Sequence, residues 1–256
     1  MMNGVEQTTS DRLVHEFCLV PQWPASPRIR ALITTRQGGV STGEYASMNL
    51  GDHVGDKSEA YRENRCRLRL HLPDEPLWLR QVHGTRVIEA SDWYTGVEAD
   101  AVVARAASRV LAVLSADCLP VLFCDLDATT VAVAHAGWRG LASGVIEATV
   151  AKMALDPARI LAYLGPGIGT EAYEVGEEVR AAFVNIDSCA APAFTARGDG
   201  KFLCDLALLA RQRLAKTGIM SIHGGGYCTY AEKQRFFSYR RDGPTGRMAS
   251  LVWIAT

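Results

Sequence analysis

Short apolar runs, punctuated by glycine, proline and aspartate, dominate the chain from residue 29 onward. Residues 29–35, 77–82, 86–89, 101–103, 110–115, 119–124, 129–135, 160–164, 221–227 and 248–254 predict strands. The polar joint Asp125-Leu126-Asp127-Ala128 between two of these runs predicts an antiparallel hairpin. Helical spacing marks 58–70, 177–184 and 205–216. It also places Leu141, Val145, Ile146, Thr149 and Met153 on one apolar face, which Asp156-Pro157 ends. Strands outnumber helices, and hairpins mix with β–α crossovers. The expected fold is therefore α/β, a layered sandwich of mixed β-sheets with helices outside, and not a purely doubly wound sheet. The first 28 residues, spaced by Pro21, Pro24 and Pro27, read as a loose lead-in to a single domain over 29–256.

Composition excludes several classes. A chain of 256 residues that is 48% hydrophobic buries a core and is not disordered. Its net charge of −1 provides no bulk attraction to nucleic acid or an anionic membrane. Apolar stretches such as 110–116 are far short of a membrane span. Residues 1–11 are polar and lack the apolar segment of a signal peptide. Seven cysteines, irregularly spaced and without a CxxC pair, fit a reduced cytoplasmic chain in which most thiols are buried.

Three residues carry candidate chemistry. His83 lies in Gln81-Val82-His83-Gly84, Cys118 in Ala116-Asp117-Cys118-Leu119-Pro120, and His135 in His135-Ala136-Gly137-Trp138. Each follows an apolar strand and precedes a turn residue, where a sheet fold builds its sites. Two imidazoles and a thiolate suit a zinc ion with a fourth position open. The plainer alternative is satisfied core histidines and a buried thiol. Phe236-Phe237-Ser238-Tyr239-Arg240-Arg241, with Arg247 behind it, could stack a base and hold an anion, or form a strand with a solvated basic edge. Arg36 is a similar anion candidate. Gly167-Ile168-Gly169-Thr170-Glu171-Ala172 matches a dinucleotide fingerprint on paper. Gly176 falls where the first turns of its helix should be, so the segment reads as a tight loop that lets a ligand or another strand approach.

Together these segments resemble one family, the laccase-like polyphenol oxidase or purine nucleoside phosphorylase proteins with a YfiH-type domain. The matching blocks run in order over nearly the whole chain. They begin with Thr34-Thr35-Arg36, Gly38-Gly39-Val40-Ser41, Met48-Asn49-Leu50-Gly51 and His53-Val54-Gly55-Asp56. Gln81-Val82-His83-Gly84, Ala99-Asp100-Ala101, Ala116-Asp117-Cys118-Leu119-Pro120 and His135-Ala136-Gly137-Trp138-Arg139-Gly140 follow. Gly165-Pro166 through Tyr173-Glu174-Val175-Gly176, then Phe237-Ser238-Tyr239-Arg240-Arg241-Asp242, complete the set. The resemblance implies a zinc ion held by His83, Cys118 and His135, with copper as the alternative ion. It implies phosphorolysis of adenosine, inosine or methylthioadenosine to free base and ribose 1-phosphate, together with adenosine deamination. It also brings polyphenol oxidation and a role with peptidoglycan precursors, though six histidines are too few for a multi-copper cluster. Many relatives carry a cysteine in the loop before the Glu-Val-Gly block, where this chain has Glu171 and Ala172.

Roles follow from that chemistry. Arg36 and Arg240 are the candidates for neutralising phosphate. Asp117 and Glu174 are candidate proton carriers or partners of a ligand imidazole, with a turn-capping role equally open for Asp117. Asn49 and Gln81 are candidate ribose or base contacts on resemblance, and Phe237 or Tyr239 would stack the purine. Two other classes compete. One is a cysteine-centred hydrolase or amidase with Cys118 as nucleophile and a histidine base. The other is a metal-stabilised module without activity. The expected partners are a purine nucleoside and phosphate, with no nucleic acid or membrane, and a monomer or small homo-oligomer.

Overall fold

The structure is a computed structural model that describes residues 17–256. In chain order its strands are β1 (Cys18–Leu19), β2 (Ile29–Thr34), β3 (Val87–Glu89), β4 (Ala101–Ala104), β5 (Leu111–Ser115), β6 (Leu119–Asp125) and β7 (Val131–Ala136). They continue with β8 (Ile160–Leu164), β9 (Glu174–Gly176), β10 (Phe194–Gly198), β11 (Lys201–Cys204), β12 (Ser221–Gly224) and β13 (Met248–Ile254). The helices are α1 (Ser58–Arg69), α2 (Trp138–Ser143), α3 (Val145–Met153), α4 (Glu177–Val184), α5 (Leu206–Lys216) and α6 (Tyr239–Asp242).

Alternate residues of β4 enter two different cores, and this defines the layers. Ala101 and Val103 join Val121, Phe123 and Ala134 against α3 and α5. Val102 and Ala104 face Ile33, Val113 and Val252. The first core lies between helices and a six-stranded mixed sheet of order β12-β8-β6-β7-β4-β3. The second lies between that sheet and an antiparallel four-stranded sheet, β1-β2-β13-β5. A third cluster, in which Leu32, Leu114 and Leu251 meet Leu50 and Leu68, seats α1 on the outer face of the smaller sheet. Both sheets are thus covered on both faces. That is why their strands read as continuous apolar runs and not as alternating ones.

The expected α/β sandwich is the observed one. The β6–β7 hairpin is antiparallel, and Asp125 closes it by accepting the Thr129 and Thr130 N–H groups, each at 2.8 Å. The helix expected over 141–153 is broken at Gly144, whose φ of 99° ends α2 and starts α3. Residues 77–82 form no strand. Instead the Gln81 side chain pairs with Leu114 like a missing strand, its Oε1 accepting the N–H at 2.7 Å and its Nε2 donating to the carbonyl at 2.8 Å. The solvated β9–β11 sheet was not visible in the pattern, because β10 buries only Phe194. Within the expected lead-in, Cys18–Leu19 pairs with β2 and Trp23 packs edge-on against Tyr163. Residues 1–16 of that lead-in lie outside the described residues. Two of the seven thiols, Cys124 and Cys204, are fully buried and two, Cys66 and Cys189, are exposed, so burial is less general than expected. Among the described residues no helix is long and apolar enough to cross a membrane.

Candidate active site

The chain crosses from one sheet to the other between β5 and β6, and Cys118 sits at that crossing. Asp117 makes the turn with φ 87°, a conformation that aspartate tolerates better than most side chains. The end of β7 brings His135 alongside, because Pro120 of β6 is registered with it. The loop after Gln81 brings in His83, itself at φ 59°. One ligand atom from each of His83, Cys118 and His135 lies within 4.8 Å of the others. The Cys118 Sγ is 3.8 Å from His83 Nε2, and the two imidazoles meet edge to face with centroids 4.8 Å apart.

Asp100 organises this trio. Fully buried on β4's approach, its Oδ1 accepts the His83 N–H and faces His135 Nδ1, each at 2.9 Å. Its Oδ2 accepts the N–H groups of Val82 at 3.2 Å and Gly84 at 2.7 Å. Its carbonyl accepts the His135 N–H at 2.7 Å. Burial pushes the Asp100 carboxyl up, but the bonds from His135 and the loop amides outweigh it and hold it below its ordinary value. Burial likewise raises the Cys118 thiol, yet the charge and hydrogen bonds of His135 and His83 bring it down to about 6. Burial lowers His135, and the Cys118 thiolate with Asp100 lifts it to about 9. Gly137 leaves the trio its space, since a Cβ there would lie 2.9 Å from Cys118 Sγ and 3.0 Å from His83 Cδ2.

The trio fits a metal ion. A thiolate and two imidazoles form a soft-to-borderline donor set that suits zinc or copper. The Asp100 contact fixes Nδ1 of His135 and leaves Nε2 as the ligand atom, the usual arrangement behind a metal-bound histidine. Among the described residues no fourth His, Cys, Asp or Glu joins the three, so a coordination position stays open to the cleft.

That cleft encloses about 560 Å³. Tyr173, Trp138 and Tyr239 give it aromatic faces, while Arg139, Arg240 and Arg247 line it with guanidinium groups. Gln81, Asp117 and Arg240 are in the cleft as expected. Both Asp117 carboxylate oxygens are engaged, one by the Thr229 hydroxyl at 2.6 Å and the other by the Arg240 N–H at 2.7 Å. Arg240 donates Nη1 to the Glu174 carbonyl and lies over Tyr173.

The remaining expectations are not met by the geometry. Arg36 lines a separate surface hollow, its guanidinium spent on the Ala46 and Lys233 carbonyls and near Asp242. Phe237 is fully buried beneath Gly246 and Arg36, so Tyr239, 58% exposed, is the aromatic presented to solvent. Asn49 is also fully buried. Glu174 meets the site only through its carbonyl, and the carboxylate partner of the ligand imidazole is Asp100. The Gly167–Ala172 loop opens no long helix. Gly169 instead lets Cys228 approach, its N–H donating to that sulfur at 3.2 Å. Arg247, noted behind the aromatic–arginine segment, lines the cleft, whereas Asp100, His53 and Tyr173 carry no expected role although they stand inside the matching blocks.

Residues 30–255 match the family model described as multi-copper polyphenol oxidoreductase laccase. The purine nucleoside phosphorylase YfiH of Escherichia coli (strain K12) is 52% identical over 239 residues, covering 92% of this chain and 98% of that protein. The purine nucleoside phosphorylase PA4543 of Pseudomonas aeruginosa is 50% identical over 237 residues, with the same coverage of 92% and 98%. The crystal structure of Neisseria meningitidis protein NMB0706 is similar with a TM-score of 0.90 at 50% identity, covering 93% of this chain and 99% of that one. Similarity of this extent in sequence and fold places the chain in the YfiH-type family of laccase-like polyphenol oxidoreductases.

Proposed function

We propose that this protein is a zinc-dependent, cytoplasmic purine nucleoside enzyme. It cleaves adenosine, inosine and methylthioadenosine with phosphate, and it deaminates adenosine in the same cleft. One observation carries the reading: an open His83–Cys118–His135 trio shares a cleft with aromatic faces and with arginines that, among the described residues, have no carboxylate partner. The names of the similar proteins, purine nucleoside phosphorylases, point the same way.

In phosphorolysis an oxygen of hydrogen phosphate forms a bond to C1′ as the C1′–N9 bond breaks. The electron pair leaves on the purine, and the proton that phosphate gives up ends on the base. The products are free purine and ribose 1-phosphate. Bound by the trio, zinc supplies Lewis acidity at the open side of the cleft. The protein's own residues do the rest. Tyr239 and Trp138 offer faces for the base, Gln81 borders it, and arginines hold the dianion by charge-assisted bonds. Asp100 keeps the His135 imidazole oriented and holds the loop that carries His83.

The lowered Cys118 thiol beside a histidine–aspartate pair favours a second reading, a cysteine nucleophile in a hydrolase or amidase. The test is base release from adenosine and inosine across a phosphate titration, with ammonia followed in parallel. The proposal expects phosphate-dependent base release by zinc-loaded protein and no covalent adduct on Cys118. Absence of turnover for every purine nucleoside would remove it.

A further inference from the structure

Three consecutive residues of the Met48-Asn49-Leu50-Gly51 block are committed to one arginine. The Asn49 Oδ1 accepts the Arg247 N–H at 2.9 Å. The Leu50 N–H donates to the Arg247 carbonyl at 3.1 Å. Gly51 makes room for the arginine stem, since a Cβ there would lie 2.9 Å from Arg247 Cγ. Behind them Asn49 is locked. Its Nδ2 donates to the Gly51 carbonyl and to Asp56 Oδ2, both at 3.0 Å, and Asp56 Oδ2 also accepts the Ser41 hydroxyl at 2.6 Å. This buried polar network sits outside the His–Cys–His trio and has no task in the chemistry above.

The network anchors the Arg247 backbone and stem, and the guanidinium beyond it lines the cleft with donors to spare. Nη1 of Arg247 is bound to the carbonyls of Thr245 at 2.8 Å and Gly246 at 3.1 Å. Among the described residues Nε and Nη2 have no hydrogen-bond partner and no carboxylate pairs with the group, which lies 6.0 Å over the Tyr239 ring. Most other arginines with a buried stem do pair: Arg65 with Asp52, Arg213 with Glu147, Arg241 with Asp242. The carboxylate lining the cleft, Asp117, is already engaged at both oxygens. Among the described residues Arg139 and Arg240 also lack carboxylate partners, but they are exposed, and water screens what they offer. A partly buried, preorganised guanidinium fork with two free donors suits a planar pair of phosphate oxygens.

We infer that Arg247 is the residue that reads the phosphate co-substrate and that Asn49 positions it, with Gly51 leaving space for its stem. The inference rests on the phosphorolytic reading of the cleft and assigns its anion subsite to Arg247 ahead of Arg240. Asn49 then acts through Arg247 and touches neither ribose nor base.

The experiment compares zinc-loaded wild type, Arg247→Lys, Gly51→Ala and Arg240→Ala in steady-state phosphorolysis, varying inorganic phosphate and inosine separately. Inorganic phosphate binding is followed in parallel by phosphorus NMR. Arg247→Lys keeps a charge but loses the fork, so the phosphate KM should rise about ten- to a hundredfold while the inosine KM changes little. Gly51→Ala leaves the guanidinium intact and displaces its stem, and should raise the phosphate KM by less. Unchanged zinc content and thermal midpoints separate these effects from misfolding. A phosphate KM unaffected in Arg247→Lys, a parallel rise in both KM values, or a larger phosphate defect in Arg240→Ala would overturn the inference while leaving phosphorolysis standing. Base release by wild type that ignores phosphate would overturn the phosphorolytic reading itself, and the subsite with it.

Discussion

Asp100 faces Nδ1 of His135 at 2.9 Å with the same oxygen that accepts the backbone N–H of His83. One buried carboxylate therefore sets the orientation of one imidazole and the loop that carries the other. Asp100→Asn keeps the volume but gives up the charge and turns one acceptor into a donor facing loop N–H groups. The folded variant should bind zinc about 10–100-fold more weakly. Competition with a chromophoric chelator measures this, and affinity equal to wild type would show that the trio orients itself.

Mutual charge and hydrogen bonds favour Cys118 as thiolate and His135 as imidazolium in the folded, metal-free protein. In the metal-free protein Cys118 titrates near 6 against an ordinary 9.0, and His135 near 9 against 6.5. The thiolate's stabilisation is full above about pH 9 and is lost as pH falls through about 6; the imidazolium's is full below 6.5 and is lost as pH rises through about 9. Between pH 6.5 and 9 the two slopes oppose each other, so this pair leaves chelated protein with flat stability there. Iodoacetamide should modify Cys118 after chelation with a midpoint near pH 6, and metal should protect it. A midpoint near 9, or alkylation indifferent to metal, would contradict the pairing.

At Gly137 a single methyl group would meet the side chains of two members of the trio at once. Gly137→Ala places carbon 2.9 Å from Cys118 Sγ and 3.0 Å from His83 Cδ2, so the ligands must part. Overpacking of this kind costs about 1–3 kcal/mol. The expected outcome is folded protein with at least tenfold weaker zinc binding, seen by metal analysis after dialysis. Full zinc occupancy would mean that the trio is looser than its geometry.

How much of this could be read from the chain alone varies with the physical signal. Strands buried on both faces, such as β6 and β7, announce themselves as apolar runs, and Cys118 and His135 stand at their ends; His83, expected at a strand end, sits in a loop instead. The solvated β10–β11 hairpin leaves no such trace. Side-chain roles were harder to read where burial decides them. Phe237 and Asn49 have the chemistry of ligand contacts, yet both are fully buried. Arg36 differs from Arg247 only in what surrounds it, since backbone carbonyls consume most of the Arg36 guanidinium. Asp100 lies 17 residues from His83 and 35 from His135, so only the β4–β7 register reveals it as their shared partner.

Asp117 is the residue on which structure and chemistry pull apart. As a proton carrier its replacement by asparagine should remove a limb of the pH–rate profile and cost about 10²–10⁴ in rate. Its geometry is that of a clamp. One oxygen accepts the Thr229 hydroxyl, the other the Arg240 N–H, and its carbonyl accepts the Ile168 N–H, so three segments of the cleft wall meet on it. Asparagine can reproduce this clamp, its Oδ1 accepting from Arg240 and its Nδ2 donating to the Thr229 oxygen. It also tolerates the φ of 87° at this position. Asp117→Asn should therefore keep kcat within about tenfold of wild type and preserve the shape of the pH profile. Asp117→Ala loses both side-chain bonds and suits the backbone poorly. It should raise the KM for nucleoside and phosphate together, because Tyr239 and Arg240 drift with the loop. Loss of the acidic or basic limb in Asp117→Asn, with the Arg240 segment unmoved, would instead identify Asp117 as the proton carrier.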